Sequence, residues 1–257
     1  MSFEPIIQAL ALPSETRVDR RVPKKLLIEN GAPTARDKRQ INEGISEILW
    51  LAALKPANLG VPIFRDANRE YPEIAVLSVQ FRPGAKVSRL LELIHRAIPY
   101  PVLLLSGVGQ TANAGKTASV SVAHKRWSQG ESNKVVIEEF RITEPFQPES
   151  PTAEEAQFLA HLSVAGLQQS HLFALYQGWL DSILALEAAQ ITGAFRPPKD
   201  GNASVLRDQL DARAQAVREM AGLRAQAEKE TQLSRRVEIN LAIKQLETRI
   251  AELLQSL

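Results

Sequence analysis

Residues 73–106 read EIAVLSVQFRPGAKVSRLLELIHRAIPYPVLLLS. The first nine, Glu73 to Phe81, are rich in β-branched and aromatic residues, the pattern of a buried strand. Pro83-Gly84 makes a turn, and Ser88 is placed to cap a helix whose inward side carries Leu90, Leu91, Ile94 and Ala97. Pro99 and Pro101 stop that helix, and Val102 to Ser106 is again an apolar strand. A strand, a helix and a second strand in this order predict a parallel pair joined by a crossover. Two further strands are predicted, over Thr117 to His124 and Val135 to Ile142, with connections short enough for hairpins. The expected architecture is a mixed four-stranded sheet covered by helices, an α/β or α+β sandwich.

Outward from this unit, Glu4 to Leu12 predicts a short helix closed by Pro13. Arg17 to Lys25 predicts a basic connector, and Leu26-Leu27-Ile28 a short strand or turn. Thr34 followed by Asp37 opens a helix expected to run from Ala35 to Leu54, with Ile41, Ile45, Ile48, Leu49 and Ala52 on its apolar side and Pro56 at its end. After a linker at Pro145 to Pro151, Thr152 caps a helical pair reaching about Gln190. The last segment, Ala203 to Leu257, lacks proline and has glycine only at Gly222. Its Ala, Leu, Glu, Gln, Arg and Lys content predicts one helix, about 80 Å long if unbroken; a hairpin near Gly222 is the alternative. Ile239, Ile243, Leu246, Ile250, Leu253 and Leu257 follow the spacing of a coiled-coil seam. The expected organisation is an α/β domain over 1–145, a helical pair over 152–192 and a coiled-coil helix over 203–257.

The chain has 257 residues, 44% of them hydrophobic, and no cysteine, which excludes disulfides and thiolate metal sites. Met1 to Pro13 shows no basic leader, and no apolar run approaches the ~20 residues of a membrane span. A cytoplasmic location is the expectation. The net charge of +2 is unevenly spread. Leu12 to Arg39 carries eight basic and four acidic residues, and Arg82 to Trp127 seven and one, whereas Glu131 to Glu187 carries nine acidic and two basic. Basic stretches beside an acidic one fit either an internal match or a nucleic-acid surface next to a protein-binding surface.

Motifs of catalysis fail on spacing. Gly109 to Thr117 (GQTANAGKT) ends as a phosphate loop does, but Gln110 stands where its first glycine belongs, and the residues after Thr117 alternate as a strand does, where a phosphate loop runs into a helix. No nucleotide binding is expected there. Glu138 and Glu139 are adjacent and face opposite sides of a strand, so they do not make a paired-carboxylate metal site. His95, His124, His161 and His171 have no metal-ligand spacing, and Ser106-Gly107 lacks the surroundings of a nucleophile elbow. No catalytic residue, metal or cofactor is expected. The basic strand end His124-Lys125-Arg126-Trp127, with Arg89 and Arg96 in the same basic stretch, is the candidate for phosphate contact. Alternation places Val120, Val122 and His124 on one side of their strand and Ser119, Ser121 and Lys125 on the other, polar side.

Pro23-Lys24-Lys25-Leu26, Asp37-Lys38, Ile98-Pro99-Tyr100-Pro101, Ala123-His124-Lys125-Arg126, Leu175-Tyr176, Trp179-Leu180 and Thr192-Gly193-Ala194-Phe195 follow one another in an order that resembles a bacterial family of unknown function, number 4391. The resemblance implies a gene neighbourhood of DNA methyltransferases and SNF2- or DEAD-type helicases, in restriction-like phage-defence clusters. The family supplies no catalytic residues. The resulting expectation is a non-catalytic scaffold subunit of a DNA-targeting defence complex. Its partners would be a helicase, a methyltransferase or a second copy, bound through Ile239, Ile243, Leu246, Ile250 and Leu253, with DNA at the basic face. The alternatives are a divergent nuclease or nucleotide hydrolase, and a homodimeric coiled-coil adaptor without a nucleic-acid role.

Overall fold

A computed structural model describes residues 3–109, 117–130, 135–198 and 202–257. The chain divides into two compact units, Met1–Ile183 and Leu184–Leu257. In the first, α1 (Glu4–Leu10) leads to β1 (Arg17–Arg21), α2 (Lys24–Gly31), α3 (Ala35–Gly44) and β2 (Ile45–Leu54). A single turn α4 (Pro56–Leu59) and a two-stranded ribbon, β3 (Phe64–Arg65) with β4 (Glu70–Tyr71), precede β5 (Ile74–Phe81). Then come α5 (Val87–Ala97), β6 (Val102–Val108), β7 (Ser119–Trp127), β8 (Val135–Ile142), α6 (Ala153–Ala160) and α7 (Leu172–Thr192), within which the first unit ends.

The main sheet has six strands in the order β1-β2-β5-β6-β7-β8. The β5–β6 pair is parallel, as the crossover through α5 requires, and every other pair is antiparallel. All but one residue of β5 are buried, because helices cover both faces of the sheet. On one face α2, α3 and α5 close over Ile45, Ile48, Leu77, Val79 and Leu104. On the other, the Tyr176 hydroxyl of α7 donates to the Val102 carbonyl at 2.7 Å, and the Trp179 indole donates to Leu162 O at 2.9 Å.

The two extra strands replace expected helix and connector. Arg17 to Lys25 was read as a connector, but Arg17–Arg21 pairs with β2 at the sheet edge. Leu26-Leu27-Ile28 is helical, following Pro23, with Leu27 buried against the core. The helix expected over Ala35 to Leu54 stops at Gly44, and Ile45–Leu54 is a strand. Its apolar spacing suits either period, and pairing with β5 decides between them. Gly44 sits at the break because a Cβ there would stand 2.7 Å from the Leu90 side chain of α5. Thr34 caps α3 as expected, accepting from Asp37 N at 3.1 Å. The Thr152–Glu155 capping box opens α6. Helix α5 begins at Val87 without a side-chain cap, so Ser88 lies inside it.

In the second unit the segment expected as one helix is a hairpin of α8 (Ala203–Lys229) and α9 (Leu233–Ser256). The chain reverses at Glu230–Gln232 and runs straight through Gly222. Arg224 of α8 pairs with Glu247 of α9 at 2.8 Å. The end of α9, Ser256 and Leu257, lines one cavity with Val205, Leu206 and Gln209, so the helices are antiparallel. Among the described residues no helix is long and apolar enough to cross a membrane.

Candidate functional site

The basic strand end does not form a charged face. His124 is 3% exposed. Its Nδ1 meets the Tyr71 hydroxyl, and its Nε2 lies 2.9 Å from Gln177 Oε1. Gln177 in turn donates to Asp181 at 2.8 Å. The rings of Tyr71, Phe173 and Tyr176 surround the imidazole. Burial raises the Tyr71 phenol well above its ordinary range, so it stays neutral and serves as a hydrogen-bonding group.

Lys125 points to the opposite face, as alternation predicts, but that face is buried rather than polar. Its Nζ donates to Ile98 O at 2.5 Å and Tyr100 O at 2.6 Å. Burial pushes its ammonium down to about 7. His95, in the same layer, shares a hydrogen bond of 3.0 Å between Nε2 and Ser121 Oγ, and its Nδ1 has no hydrogen-bond partner among the described residues. Burial first, and then the Lys125 charge, push His95 far below the ordinary imidazole range. The Lys125 amine is therefore committed inside the protein, where a phosphate does not reach it. Arg126 is half-buried and donates to Trp127 O at 3.2 Å.

The remaining two candidates stand on α5. Arg89 donates to both carboxylate oxygens of buried Asp37, at 2.9 and 3.0 Å, and to Glu92 at 2.8 Å. That fork, with the Thr34 hydroxyl, holds the Asp37 carboxyl down at about 2. Arg96 is exposed and pairs with Glu92 at 2.7 Å. His124 and Lys125 are thus tied into the core and Arg89 into the α3–α5 contact, while Arg96 and Arg126 bond only within their own elements.

The basic surface lies elsewhere, where the two basic stretches meet. Lys24 Nζ donates to Asn42 O at 3.0 Å and to Ile45 O. Arg82 Nη1 donates to Asn42 O at 3.2 Å and Glu43 O at 3.0 Å. Asn42 O and Glu43 O lie in the last turn of α3, where carbonyls lack a partner within the helix and cations suit them. Burial, then Arg82, then Arg21 lower the Lys24 pKa, which places three cations within electrostatic reach.

Beside them is a cleft of about 350 Å³. Leu27, Trp50, Leu77, Ile98 and Tyr100 line it, with the exposed side chains of Arg20 and Arg21 among its walls. The motifs Pro23-Lys24-Lys25-Leu26 and Ile98-Pro99-Tyr100-Pro101 both contribute, and Lys125 ties the second in place from inside the core. The sequence pattern does not single out Arg20, Arg21 and Trp50, because it predicts a connector and a helix where the structure has β1 and β2. The usable signal was the convergence of two proline-bearing motifs.

Glu138 pairs with Arg69 at 2.9 Å and Glu139 with Arg141 at 3.2 Å. Among the described residues no three His, Asp or Glu side chains are grouped to hold a metal ion. Residues 110–116 of the Gly-Lys-Thr loop lie outside the described residues, but Ser119 opens a strand, as its alternation predicts.

On the hairpin, Leu246 is buried and Ile239, Ile243, Ile250 and Leu253 are half-buried. Within the chain, α8 and α9 pack along each other and cover part of this seam. A different stripe of α9 stays open: Leu233, Val237 and Leu241 are 72%, 51% and 58% exposed. Their spacing of four residues keeps them on one side of the helix.

No curated protein and no solved structure matches the chain. A family model described as "Domain of unknown function (DUF4391)" matches residues 10–250, spanning both compact units. That match covers nearly the whole chain, and the protein belongs to the DUF4391 family.

Proposed function

We propose that this chain is a non-catalytic scaffold subunit of a bacterial DNA-targeting defence complex. The observation that carries the assembly role is the open stripe Leu233, Val237 and Leu241. An amphipathic hairpin with its seam partly covered by α8 and three large apolar residues left in line has the form of a docking face. The defence setting is the expectation attached to the family resemblance. Replacing all three residues by serine tests the role. Association with the methyltransferase or helicase subunit of the complex, or with a second copy, is expected to disappear in co-purification and light scattering. The thermal midpoint should barely move, since exposed substitutions change stability by about 0.5 kcal/mol or less each. Unchanged mass and unchanged partners would remove the docking role.

A DNA contact is favoured by the convergence of Arg21, Lys24 and Arg82. Phosphate contacts release condensed counterions, so binding weakens with salt. Three contacts give a log–log slope of roughly −3 and duplex affinity in the micromolar range or weaker at physiological salt. Arg21→Ala with Arg82→Ala is expected to lower that slope by about 2, equally for unrelated sequences. Lys125→Met should leave it unchanged. Fluorescence anisotropy showing no binding at low salt, with or without partner subunits, would leave a protein-only scaffold.

A further inference from the structure

We propose that the cleft between β1, α2 and the α5–β6 connection is a small-molecule site, and that it takes a planar aromatic ring bearing one anionic group. Its volume of about 350 Å³ holds a two-ring system with its substituent, at the lower end of ligand-pocket sizes. The lining is apolar apart from a few groups. Leu27, Leu77 and Ile98 offer aliphatic contact, and Trp50 and Tyr100 offer ring surfaces for stacking.

The cleft is held in shape before any ligand arrives. The Trp50 indole donates to Ala52 O at 2.8 Å, which fixes the ring. Asn30 donates to Leu26 O at 3.0 Å within α2. Ala75 N donates to Pro101 O at 3.0 Å, and Lys125 holds the Ile98 and Tyr100 carbonyls. A preformed cavity spares the ordering entropy that a mobile one loses on binding.

Charge sets the ligand's sign. Arg20 and Arg21 are exposed and line the cleft. Among the described residues Arg20 makes no ion pair, and Arg21 has only a 3.3 Å contact with Glu47, on side chains that are 69% and 43% exposed. Lys24 adds positive potential beside Arg21. A guanidinium matches a carboxylate or sulfonate with two parallel hydrogen bonds, while the ring fills the apolar part. A neutral ring loses that fork, and a cationic one meets repulsion.

Calorimetry on the full chain with 2-naphthoate, 2-naphthalenemethanol and 2-naphthylmethylammonium tests this. The acid is expected to bind with a submillimolar dissociation constant. The alcohol should bind at least about tenfold more weakly and the amine not at all, about tenfold being the worth of one 1.4 kcal/mol interaction. Arg20→Glu should weaken the acid by about tenfold or more without shifting the thermal midpoint. Arg82→Ala, which removes a proposed DNA contact outside the cleft, should leave it unchanged. So loss of DNA binding does not decide the cleft. Absence of heat with the acid, equal affinity for acid and alcohol, or an Arg20→Glu variant that binds as well as the original chain would overturn the proposal.

Discussion

From pH 7.5 to 9.5 the protein is expected to gain about 2–3 kcal/mol of stability that the Lys125→Met variant does not gain. Lys125 is 4% exposed, and burial holds its ammonium at about 7, against 10.5 for a free lysine. Between those values the unfolded chain carries a proton that the folded chain does not. Stability then rises with pH, by up to about 1.4 kcal/mol per unit, and is lost again as pH falls from 10.5 toward 7. The direction is opposite to that of a lysine held in an ion pair. His95 acts in the same sense at lower pH, because its buried imidazole resists charging. Methionine fills most of the volume without a titrating group. It also leaves Ile98 O and Tyr100 O without their donor, which costs about 1–3 kcal/mol per carbonyl. The variant should therefore be the less stable protein at pH 9.5, with the gap narrowing toward neutrality. Urea unfolding at three pH values reads this directly. Parallel pH profiles for the two proteins would show that Lys125 keeps an ordinary pKa.

Leu246→Asp is expected to unfold the hairpin locally while the sheet domain stays intact. Leu246 is the most buried large residue of α9, at 9% exposure. The change removes the apolar contacts of a leucine, about 2–5 kcal/mol, and places a carboxylate with no partner in the α8–α9 contact. The hairpin belongs to the compact unit Leu184–Leu257, which does not contain the sheet. Hydrogen exchange in Ala203–Lys229 and Leu233–Ser256 should approach that of an unfolded chain, while Ile74–Phe81 and Val102–Val108 keep their protection. Leu241→Asp, on the open stripe, should leave exchange as it is. Retained protection in the Leu246 variant would mean that this side chain does not pack in the hairpin. From sequence, the same substitution is expected to weaken association between molecules, which light scattering of the variant measures alongside the exchange.

The functional surfaces were legible only in part. The seam of α9 showed in its spacing, but the residues offered for docking are its neighbours Leu233, Val237 and Leu241, which the sequence pattern did not separate from ordinary surface. The phosphate candidates were chosen by charge alone. Lys125 and Arg89 stand where a buried carbonyl pair and a buried carboxylate need donors, which no local pattern reveals. The cations left at the surface, Arg20, Arg21 and Lys24, became visible once β1 and α2 were in place.

By itself the sequence determined what depends on neighbours in the chain. The β5–α5–β6 crossover, the caps at Thr34 and Thr152 and the strand Val135–Ile142 follow from periodicity, turn residues and side-chain hydrogen bonds within a few positions. Tertiary structure decided what depends on partners far along the chain. Ile45–Leu54 suits a helix or a strand until β5 offers its backbone. The last helical segment suits one rod or a hairpin until the burial of Leu246 favours folding back. Lys125 looks like surface until Ile98 and Tyr100, 27 and 25 residues earlier, arrive with unpaired carbonyls. In each case local energies are nearly balanced, and burial of apolar area or of a polar group in need of a partner makes the choice.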